Sequence, residues 1–146
     1  MSKSDEIWGD MFEQIPITRN IVREALRKDI EYFKHGSTLQ SKERDHLRKT
    51  FEILRRKWIV DILYFIHLLN NPFFADIQKG IGGINSRTLS NRLQEMEDIG
   101  MITRTVKTGK PIRVFYELSD LGLGTFELLI PLLTFISINM KKTKKE

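Results

Sequence analysis

The spacing of hydrophobic residues in the first part of this chain is helical. After Pro16, apolar side chains recur every three or four positions between charged ones, and Thr18 is a suitable N-cap. This pattern predicts an amphipathic helix from near Thr18 to the Gly36-Ser37 pair. The apolar positions of this helix are Val22, Leu26, Ile30 and Phe33.

The polar segment 38–47 either links to or begins a second helical pattern, which continues to about Leu69 and predicts one long helix. Its first half has an apolar stripe, and its second half is apolar on nearly every side, as expected of a buried central helix. Asn70-Asn71-Pro72 ends the pattern. The stripe consists of Leu47, Phe51, Leu54 and Trp58.

Two shorter helices are predicted next, joined by a glycine-rich turn. The first spans about 73–79. The second starts at the N-cap Asn85 and runs to about Asp98, and Gly100 suits the left-handed position that often follows a helix. The glycines of the turn are Gly80, Gly82 and Gly83.

The period of the pattern then changes to two, which is typical of strands. Residues 102–107 and 112–118 are rich in β-branched and aromatic side chains, and the turn signal at 108–111 separates them. The sequence therefore predicts an antiparallel hairpin with a basic tip.

A last, strongly apolar helix is predicted from the Ser119-Asp120 cap to about Met140, with Pro131 kinking or dividing it. Its longest apolar run, 128–140, and the earlier run 58–69 are both shorter than the roughly 20 residues that span a bilayer. Both runs are therefore predicted to be buried helices.

Together these elements predict a mainly α fold with a small β-hairpin (α+β), a winged helix-turn-helix with N- and C-terminal dimerisation helices. The predicted domains are an N-terminal helical extension over 1–47 and a winged helix-turn-helix over 48–119. A C-terminal dimerisation helix follows over 120–140. Residues 141–146 are predicted to form a disordered basic tail.

The helix predicted over 85–98 has an apolar side and a polar side at 100° per residue. Arg can bond bidentately to guanine, and Asn or Gln to adenine, so the polar side suits base edges in a major groove. The apolar side holds Leu89, Leu93 and Met96, and the opposite side Arg87, Asn91, Gln94 and Asp98. The N-terminal part of such a helix approaches DNA most closely, so the candidate base contacts are Arg87, Ser90 and Asn91 first, then Thr88, Ser86 and Gln94. For Arg92 at the flank, a phosphate contact and a structural ion pair both stay open.

Lys107, Lys110 and Arg113 surround the predicted hairpin turn and are candidate contacts to DNA phosphates. The polar helix face alone would also suit an ordinary amphipathic helix. The basic hairpin next to it shifts the interpretation towards DNA, because a helix in the major groove and a hairpin on the backbone form one binding unit.

Composition narrows the function classes further. The 146 residues carry a formal net charge of +5, and residues 79–113 hold seven Lys or Arg against three Asp or Glu. The absence of cysteine excludes disulfides, thiol redox sensing and thiolate metal sites. Neither a catalytic constellation nor metal-ligand spacing stands out, so an enzyme is not indicated and no cofactor is predicted.

Several short motifs make the chain similar to a known family over about residues 50–136. They are Lys57-Trp58, Ile84-Asn85-x-Arg87-x-Leu89-Ser90-x-Arg92-Leu93, Gly100-Met101-Ile102-x-Arg104, Pro111-x-Arg113-Val114-x-Tyr116-x-Leu118-Ser119 and Gly122. With these motifs the chain resembles the HxlR family of winged helix-turn-helix transcriptional regulators, relatives of the MarR-type regulators. The resemblance implies a homodimer on operator DNA, with an N-terminal helix and the C-terminal helix at the interface. It places Arg87, Ser90 and Asn91 on the recognition helix, and Lys107, Lys110 and Arg113 on or beside the wing.

The chain also departs from the family pattern. Arg55-Arg56 stands where the family usually has Gly-Gly, Asp61 lies in the central helix, and Phe73 replaces a residue that is often basic. Some family members sense oxidants or aldehydes through cysteine, which this chain cannot do. The segment between Gly122 and Pro131 is longer than the family pattern, and residues 1–47 form an extension.

The favoured function is a cytoplasmic, nucleoid-associated transcriptional regulator that binds a pseudo-palindromic operator in double-stranded DNA as a homodimer. Dimerisation is expected because the apolar faces of the two terminal helices exceed what so small a core requires. A non-specific architectural DNA-binding protein and a protein-interaction winged helix remain alternatives. The sequence does not identify a small-molecule effector.

Overall fold

In the computed structural model of the protein, residues 3–34 and 41–143 are described, and they form six helices and a two-stranded sheet. The mainly α fold with a hairpin is therefore confirmed. The helices are α1 Lys3–Lys34, α2 Ser41–Leu54, α3 Ile59–Leu69, α4 Phe74–Ile81, α5 Ser86–Asp98 and α6 Asp120–Thr143, and the strands are β1 Ile102–Lys107 and β2 Arg113–Leu118.

The chain divides into two compact units. One is Phe51–Leu128, which contains α3, α4, α5 and the hairpin, and the other is formed by the residues before and after it. Helices α2 and α6 each belong partly to both units. The domain boundaries predicted from the sequence at 47 and 119 stay predictions.

The core of the Phe51–Leu128 unit is built from one face of each short helix and from the hairpin. Helix α3 contacts α4 and β2, and α5 contacts β1. The predicted core face of α5 is confirmed, because its three apolar residues are all buried. The buried hydrophobic residues are Ile59, Ile62, Leu63, Ile66, Ile77, Ile84, Leu89, Leu93, Met96, Met101, Ile102, Tyr116 and Phe126.

Helix α3 is only half buried, so the prediction of a helix buried on nearly every side is wrong. Its buried residues share one face, whereas Tyr64, Leu68 and Leu69 are exposed. Asp61 is also exposed and reaches solvent. The helix ends as predicted at Asn70, which adopts a positive φ of 51°.

The first helix begins well before Thr18, so the predicted start is wrong. Helix α1 begins at Lys3 and contains Pro16. A proline inside a helix removes one backbone hydrogen bond, a cost that a long helix with turns on both sides can absorb. Thr18 lies within the helix, where its hydroxyl donates to the Gln14 carbonyl oxygen (3.0 Å). The predicted end at Gly36-Ser37 and the side chains of Ile30, Phe33 and Leu47 lie outside the described residues.

The prediction of a single helix ending at Leu69 is also wrong, because a non-helical turn separates α2 from α3. Trp58 adopts a left-handed backbone conformation with φ 82° and ψ −11°, which no α-helix can contain. The Arg55 N–H still bonds the Phe51 carbonyl, but the Arg56 N–H bonds Ile53 in a tighter turn. This turn of residues 55–58 separates α2 from α3.

The hairpin pairs β1 with β2 in antiparallel register, from Ile102 opposite Leu118 to Lys107 opposite Arg113. The start of α6 is fixed to the loop before β1. The Ser119 hydroxyl donates to the Gly100 carbonyl and accepts from the Gly122 N–H (3.1 Å), which confirms the predicted cap.

Helix α6 is continuous through Pro131 and is not divided there. It extends to Thr143, so residues 141–143, predicted as part of a disordered tail, are helical, and 144–146 lie outside the described residues. Much of its apolar surface is exposed, contrary to the prediction of a buried helix. Among the described residues, Asp120–Met140 is the one segment long and apolar enough to cross a membrane, a test that helices of soluble proteins also pass.

Candidate DNA-binding surface

The turn between α4 and α5 gives the recognition helix a defined start. Gly82 and Gly83 have φ values of 64° and 73°, a region in which glycine lacks the steric penalty of other residues. Gly80, which was predicted to belong to the turn, lies in α4, where a Cβ would come within 2.6 Å of the Phe65 ring. The Asn85 side chain accepts from the Thr88 N–H (2.8 Å), which confirms the predicted cap.

Helix α5 ends as sharply as it begins. Gly100 has φ 79°, and its N–H bonds the Glu97 carbonyl (2.9 Å), while the Met101 N–H bonds the Met96 carbonyl (2.8 Å). This is the glycine-terminated helix end that the sequence predicts. Both ends of α5 are therefore specified by local residues.

The polar face of α5 points to solvent. Arg87, Asn91 and Gln94 are all exposed, and Ser90 lies beside them, also exposed. The side chains of Arg87, Ser90 and Asn91 make no hydrogen bond or ion pair with any residue that the structure describes. Their donors and acceptors are available to another molecule.

Of the three other residues proposed for base contact, two form side-chain hydrogen bonds within the protein and the third is half-buried. Ser86 bonds the Gln78 amide (3.0 Å), which also donates to the Ile84 carbonyl (3.2 Å) and so ties α4 to the start of α5. Thr88 is half-buried. The Gln94 amide donates to the Asp98 carboxylate one helical turn away (2.9 Å).

Arg92 is a structural residue of this surface. Its guanidinium bonds both carboxylate oxygens of Glu95 (3.1 and 3.0 Å), and its Nε donates to the Lys57 carbonyl (3.2 Å). Glu95 also pairs with Arg56 (2.7 Å). Of the two alternatives that the sequence leaves open for Arg92, the structure contains the ion pair, which fastens α5 to the turn of residues 55–58.

The three cations proposed for phosphate contact are exposed on the hairpin. Lys107 and Arg113 are cross-strand partners, so two positive charges lie on the same face of the sheet. The Lys107 ammonium lies 5.1 Å from the Phe115 ring centroid, and the Arg113 guanidinium 5.7 Å from that of Phe73. Lys110 lies at the tip, between the strands.

Sequence reasoning missed the aromatic support beneath these cations. Phe73, just before α4, forms an isolated bridge with Phe115 in β2, and the Tyr116 N–H bonds the Pro72 carbonyl (3.0 Å). A signal for Phe115 was present, since strand alternation places it on the same face as Arg113. Phe73 could not be found this way, because its contact joins segments about 40 residues apart.

A family model described as HxlR-like helix-turn-helix matches residues 53–144. The chain belongs to the HxlR-like helix-turn-helix family. It is therefore a transcriptional regulator of the helix-turn-helix type with a MarR-like winged fold, and the resemblance inferred from its motifs is confirmed.

The chain is also similar to a curated relative and, in its fold, to solved structures. The chain is 33% identical over 99 residues to YvaP of Bacillus subtilis (strain 168), an uncharacterized HTH-type transcriptional regulator; the match covers 67% of this chain and 86% of YvaP. A crystal structure assigned to a MarR-family transcriptional regulator of Enterococcus faecalis V583 has a TM-score of 0.65 at 20% identity, covering 76% of this chain and all of that one. Diamide-treated YodB of B. subtilis has a TM-score of 0.57 at 21% identity, covering 69% of this chain and 95% of that one. These two structures share the fold.

Proposed function

We propose that this HxlR-like regulator binds specific sequences in double-stranded DNA as a homodimer on a pseudo-palindromic operator. The observation that carries the proposal is that α5 has one buried apolar face and one exposed polar face. One face is locked into the core, and the other presents Arg87, Ser90 and Asn91 to solvent without partners among the described residues. Arginine and asparagine are the side chains that recognise guanine and adenine most specifically in a major groove.

The hairpin supports the same proposal through its charge. Lys107 and Arg113 face each other across the strands, an arrangement that is unfavourable unless an anion or another group offsets the repulsion. No acidic residue pairs with either side chain in the described part of the chain. A DNA phosphate is the anion expected beside a helix that occupies a major groove.

Dimerisation is proposed because a single winged helix contacts only a few base pairs. Two copies related by a two-fold axis can place their recognition helices in successive major grooves, about 34–36 Å apart. Exposed apolar side chains on α1 and α6 offer surfaces for such an interface. Because the proposed target is operator DNA, we also propose that the protein acts in the cytoplasm in association with the nucleoid.

The test starts from genomic DNA. Fragments of the source genome retained by the full-length protein should share an inverted repeat with half-site centres about 10–10.5 base pairs apart or a multiple of that spacing. The retained fragments and shuffled versions of them should then be titrated at one salt concentration. A specific regulator binds the native fragments at least about 1,000-fold more tightly.

The competing functions give different results in this experiment. Equal affinity for native and shuffled fragments would indicate a non-specific architectural protein. No retention of either fragment even at low salt would favour a protein-interaction module. Either result contradicts the proposal.

A further inference from the structure

The Gln78 side chain crosses the turn between α4 and α5. Its amide nitrogen donates to the Ile84 carbonyl oxygen (3.2 Å) and to the Ser86 hydroxyl oxygen (3.0 Å). Gln78 is half-buried in α4, Ile84 is buried in the turn, and Ser86 is the exposed first residue of α5. A single amide therefore links the two helices of the helix-turn-helix at the point where the recognition helix begins.

The Ile84 carbonyl fixes the orientation of the Gln78 amide. A backbone carbonyl only accepts hydrogen bonds, so the NH2 group of the amide must face it, and the amide oxygen cannot. The same NH2 group has a second hydrogen for the Ser86 oxygen. The Gln78 Oε1 lies 3.5 Å from the Ser86 oxygen, which is longer than the roughly 2.5–3.0 Å of an O–H···O hydrogen bond. The Ser86 hydroxyl therefore accepts from Gln78 and keeps its own proton available to another acceptor.

Ser86 lies next to the residues proposed to contact bases. It precedes Arg87 in the chain and is one helical turn before Ser90, on the side of α5 that faces α4. The first residues of a recognition helix approach base edges most closely. A serine hydroxyl can donate to acceptors in the major groove such as the N7 of a purine or the O4 of thymine. In the proposed DNA complex, the Ser86 proton is therefore available to a base edge.

The bond from Gln78 orders the Ser86 hydroxyl before DNA binds. An exposed serine without such a bond can adopt several χ1 rotamers, and restricting it to one of them on binding costs conformational entropy. Here the Gln78 amide restricts Ser86 in the free protein, and the buried Ile84 carbonyl restricts Gln78 in turn. A side chain that is ordered in advance loses less free energy when it forms a contact.

We propose that Gln78 is a positioning residue for DNA recognition, which holds Ser86 so that its hydroxyl donates to a base edge of the operator. Gln78 does not contact the base and acts through Ser86. The inference rests on the proposed sequence-specific DNA binding and adds these two residues to it. Ser86 thereby contributes to specificity although its oxygen is already bonded within the protein.

The experiment measures the affinity of the full-length protein for the operator recovered from genomic DNA, with each base pair of a half-site replaced in turn. Ser86→Ala should lower the affinity about two- to tenfold for each half-site, the range expected for one hydrogen bond, and remove the preference at one base position. Gln78→Met, similar in size but without the amide, should relax the same position. Arg87→Ala should relax a different position, which checks that the scan resolves single contacts.

A double-mutant cycle separates positioning from support of the fold. In the Ser86→Ala background, Gln78→Met should cause no further loss of operator affinity, because the group that it positions is absent. Gln78→Met also removes the bond to the Ile84 carbonyl, so urea unfolding is measured in parallel. If that variant does not fold, NMR of the parent replaces it, and the Gln78 side-chain amide signals should shift more with the operator than with shuffled DNA. Gln14→Met, the same change at an exposed position of α1, should leave operator affinity unchanged.

The outcomes distinguish this inference from the proposed function. A parent protein without preference for the operator over shuffled DNA contradicts both. If the parent has this preference, the inference alone is wrong when Ser86→Ala keeps every base preference. It is also wrong when Gln78→Met causes the same loss in both backgrounds or relaxes a position other than that of Ser86. Gln78 amide signals that respond equally to operator and shuffled DNA would overturn it as well.

Discussion

At the scale of single residues, the two arginines of α5 have opposite environments. Arg87 is exposed with no partner among the described residues, whereas Arg92 is held by Glu95 and the Lys57 carbonyl. The difference follows from position on the helix: Arg87 lies on the solvent side, and Arg92 at the flank next to the turn of residues 55–58. Of these two arginines, Arg87 is therefore the one that we propose to contact a base.

Arg87→Ala and Arg113→Ala should weaken DNA binding in different ways. Arg87→Ala should cost about 1–3 kcal/mol at the operator and relax specificity at one base position, because a base contact is lost. Arg113→Ala should weaken all sequences alike and reduce the salt slope of log K by about 0.9 per subunit, because one phosphate contact is lost. Titrations against operator and scrambled DNA at several salt concentrations separate the two effects.

Arg23→Ala provides the charge-matched control. Arg23 is exposed on α1, where it bonds Asn20, and removing it lowers the net charge by the same amount. We expect operator affinity to change little. If the Arg87 and Arg113 variants behave alike, the division between base recognition and phosphate contact is wrong.

Phe73→Leu should weaken DNA binding by acting through Arg113. The ring of Phe73, 36% exposed, lies under the Arg113 guanidinium, and such a contact contributes about 0.5–1 kcal/mol at an exposed site. Leucine keeps an apolar side chain but has no aromatic face, so Arg113 should be less well positioned. The expected loss of affinity is about two- to fivefold.

A double-mutant cycle identifies this coupling. In the Arg113→Ala background, Phe73→Leu should have no further effect on DNA affinity. The same loss in both backgrounds would mean that Phe73 acts on the fold or on DNA directly, and that it does not position Arg113.

At the scale of elements, local signals in the sequence predicted α5 and the hairpin well. The hydrogen bonds at Asn85 and Gly100 that define the ends of α5 join residues at most five positions apart. Short sequence motifs are therefore sufficient to predict where this helix begins and ends. The break before α3 could not be predicted in this way. The turn around Trp58 is held by Arg92 and Glu95, about 35 residues further along the chain, and helical spacing contains no information about such contacts.

In the candidate site, too, contacts between different helices could not be predicted from the sequence. Helical periodicity correctly placed Arg87 and Asn91 on the exposed face, because burial of the leucines fixes the opposite face. The sequence ranked Ser86 below them, but it could not distinguish a free Ser86 hydroxyl from one that bonds Gln78 across the turn. That distinction depends on how α4 and α5 meet, which is a property of tertiary structure.

Two glycines of α6 provide a prediction at this scale. A Cβ on Gly122 would overlap the Met101 carbonyl oxygen and lie 3.5 Å from Leu118 Cδ2, whereas a Cβ on Gly124 would meet nothing within 4 Å. Gly122→Ala should therefore lower the free energy of unfolding by about 1–3 kcal/mol or more, because backbone must move. Gly124→Ala, the matched control, should raise it by about 0.5–1 kcal/mol.

Urea unfolding of the two alanine variants measures this difference. The contrast depends on the start of α6 lying against the loop at Gly100 and Met101, where the Ser119 N–H also bonds the Met101 carbonyl (3.0 Å). Equal stability of the two variants would mean that α6 does not begin against this loop.

At the scale of the whole molecule, the main unexplained feature is an apolar stripe on α6. Four residues spaced by four positions lie along one side of the helix, and each is well exposed. They are Leu128 (75%), Leu132 (51%), Ile136 (42%) and Met140 (61%). Ile17, Ile21, Val22 and Leu26 of α1 are exposed as well. So much apolar surface indicates a partner, and the proposed homodimer supplies one.

The proposed dimer makes a quantitative prediction about this stripe. Sedimentation equilibrium at micromolar concentration should give twice the 17.2 kDa mass of the chain. Leu132→Glu should shift the particle to a single chain, because a charge in an apolar interface is costly to bury. Ser137→Glu adds the same charge at an exposed polar position of α6, outside the stripe, and should leave the dimer intact.

DNA binding should follow the oligomeric state, because two recognition helices on one operator combine their contacts. The Leu132→Glu variant should bind an isolated half-site as the parent does but lose most of its preference for the full inverted repeat. Two results would contradict this argument. A 17.2 kDa particle for the parent protein would remove the dimer, and partition of the parent into lipid vesicles, abolished by Leu132→Glu, would assign the stripe to a membrane.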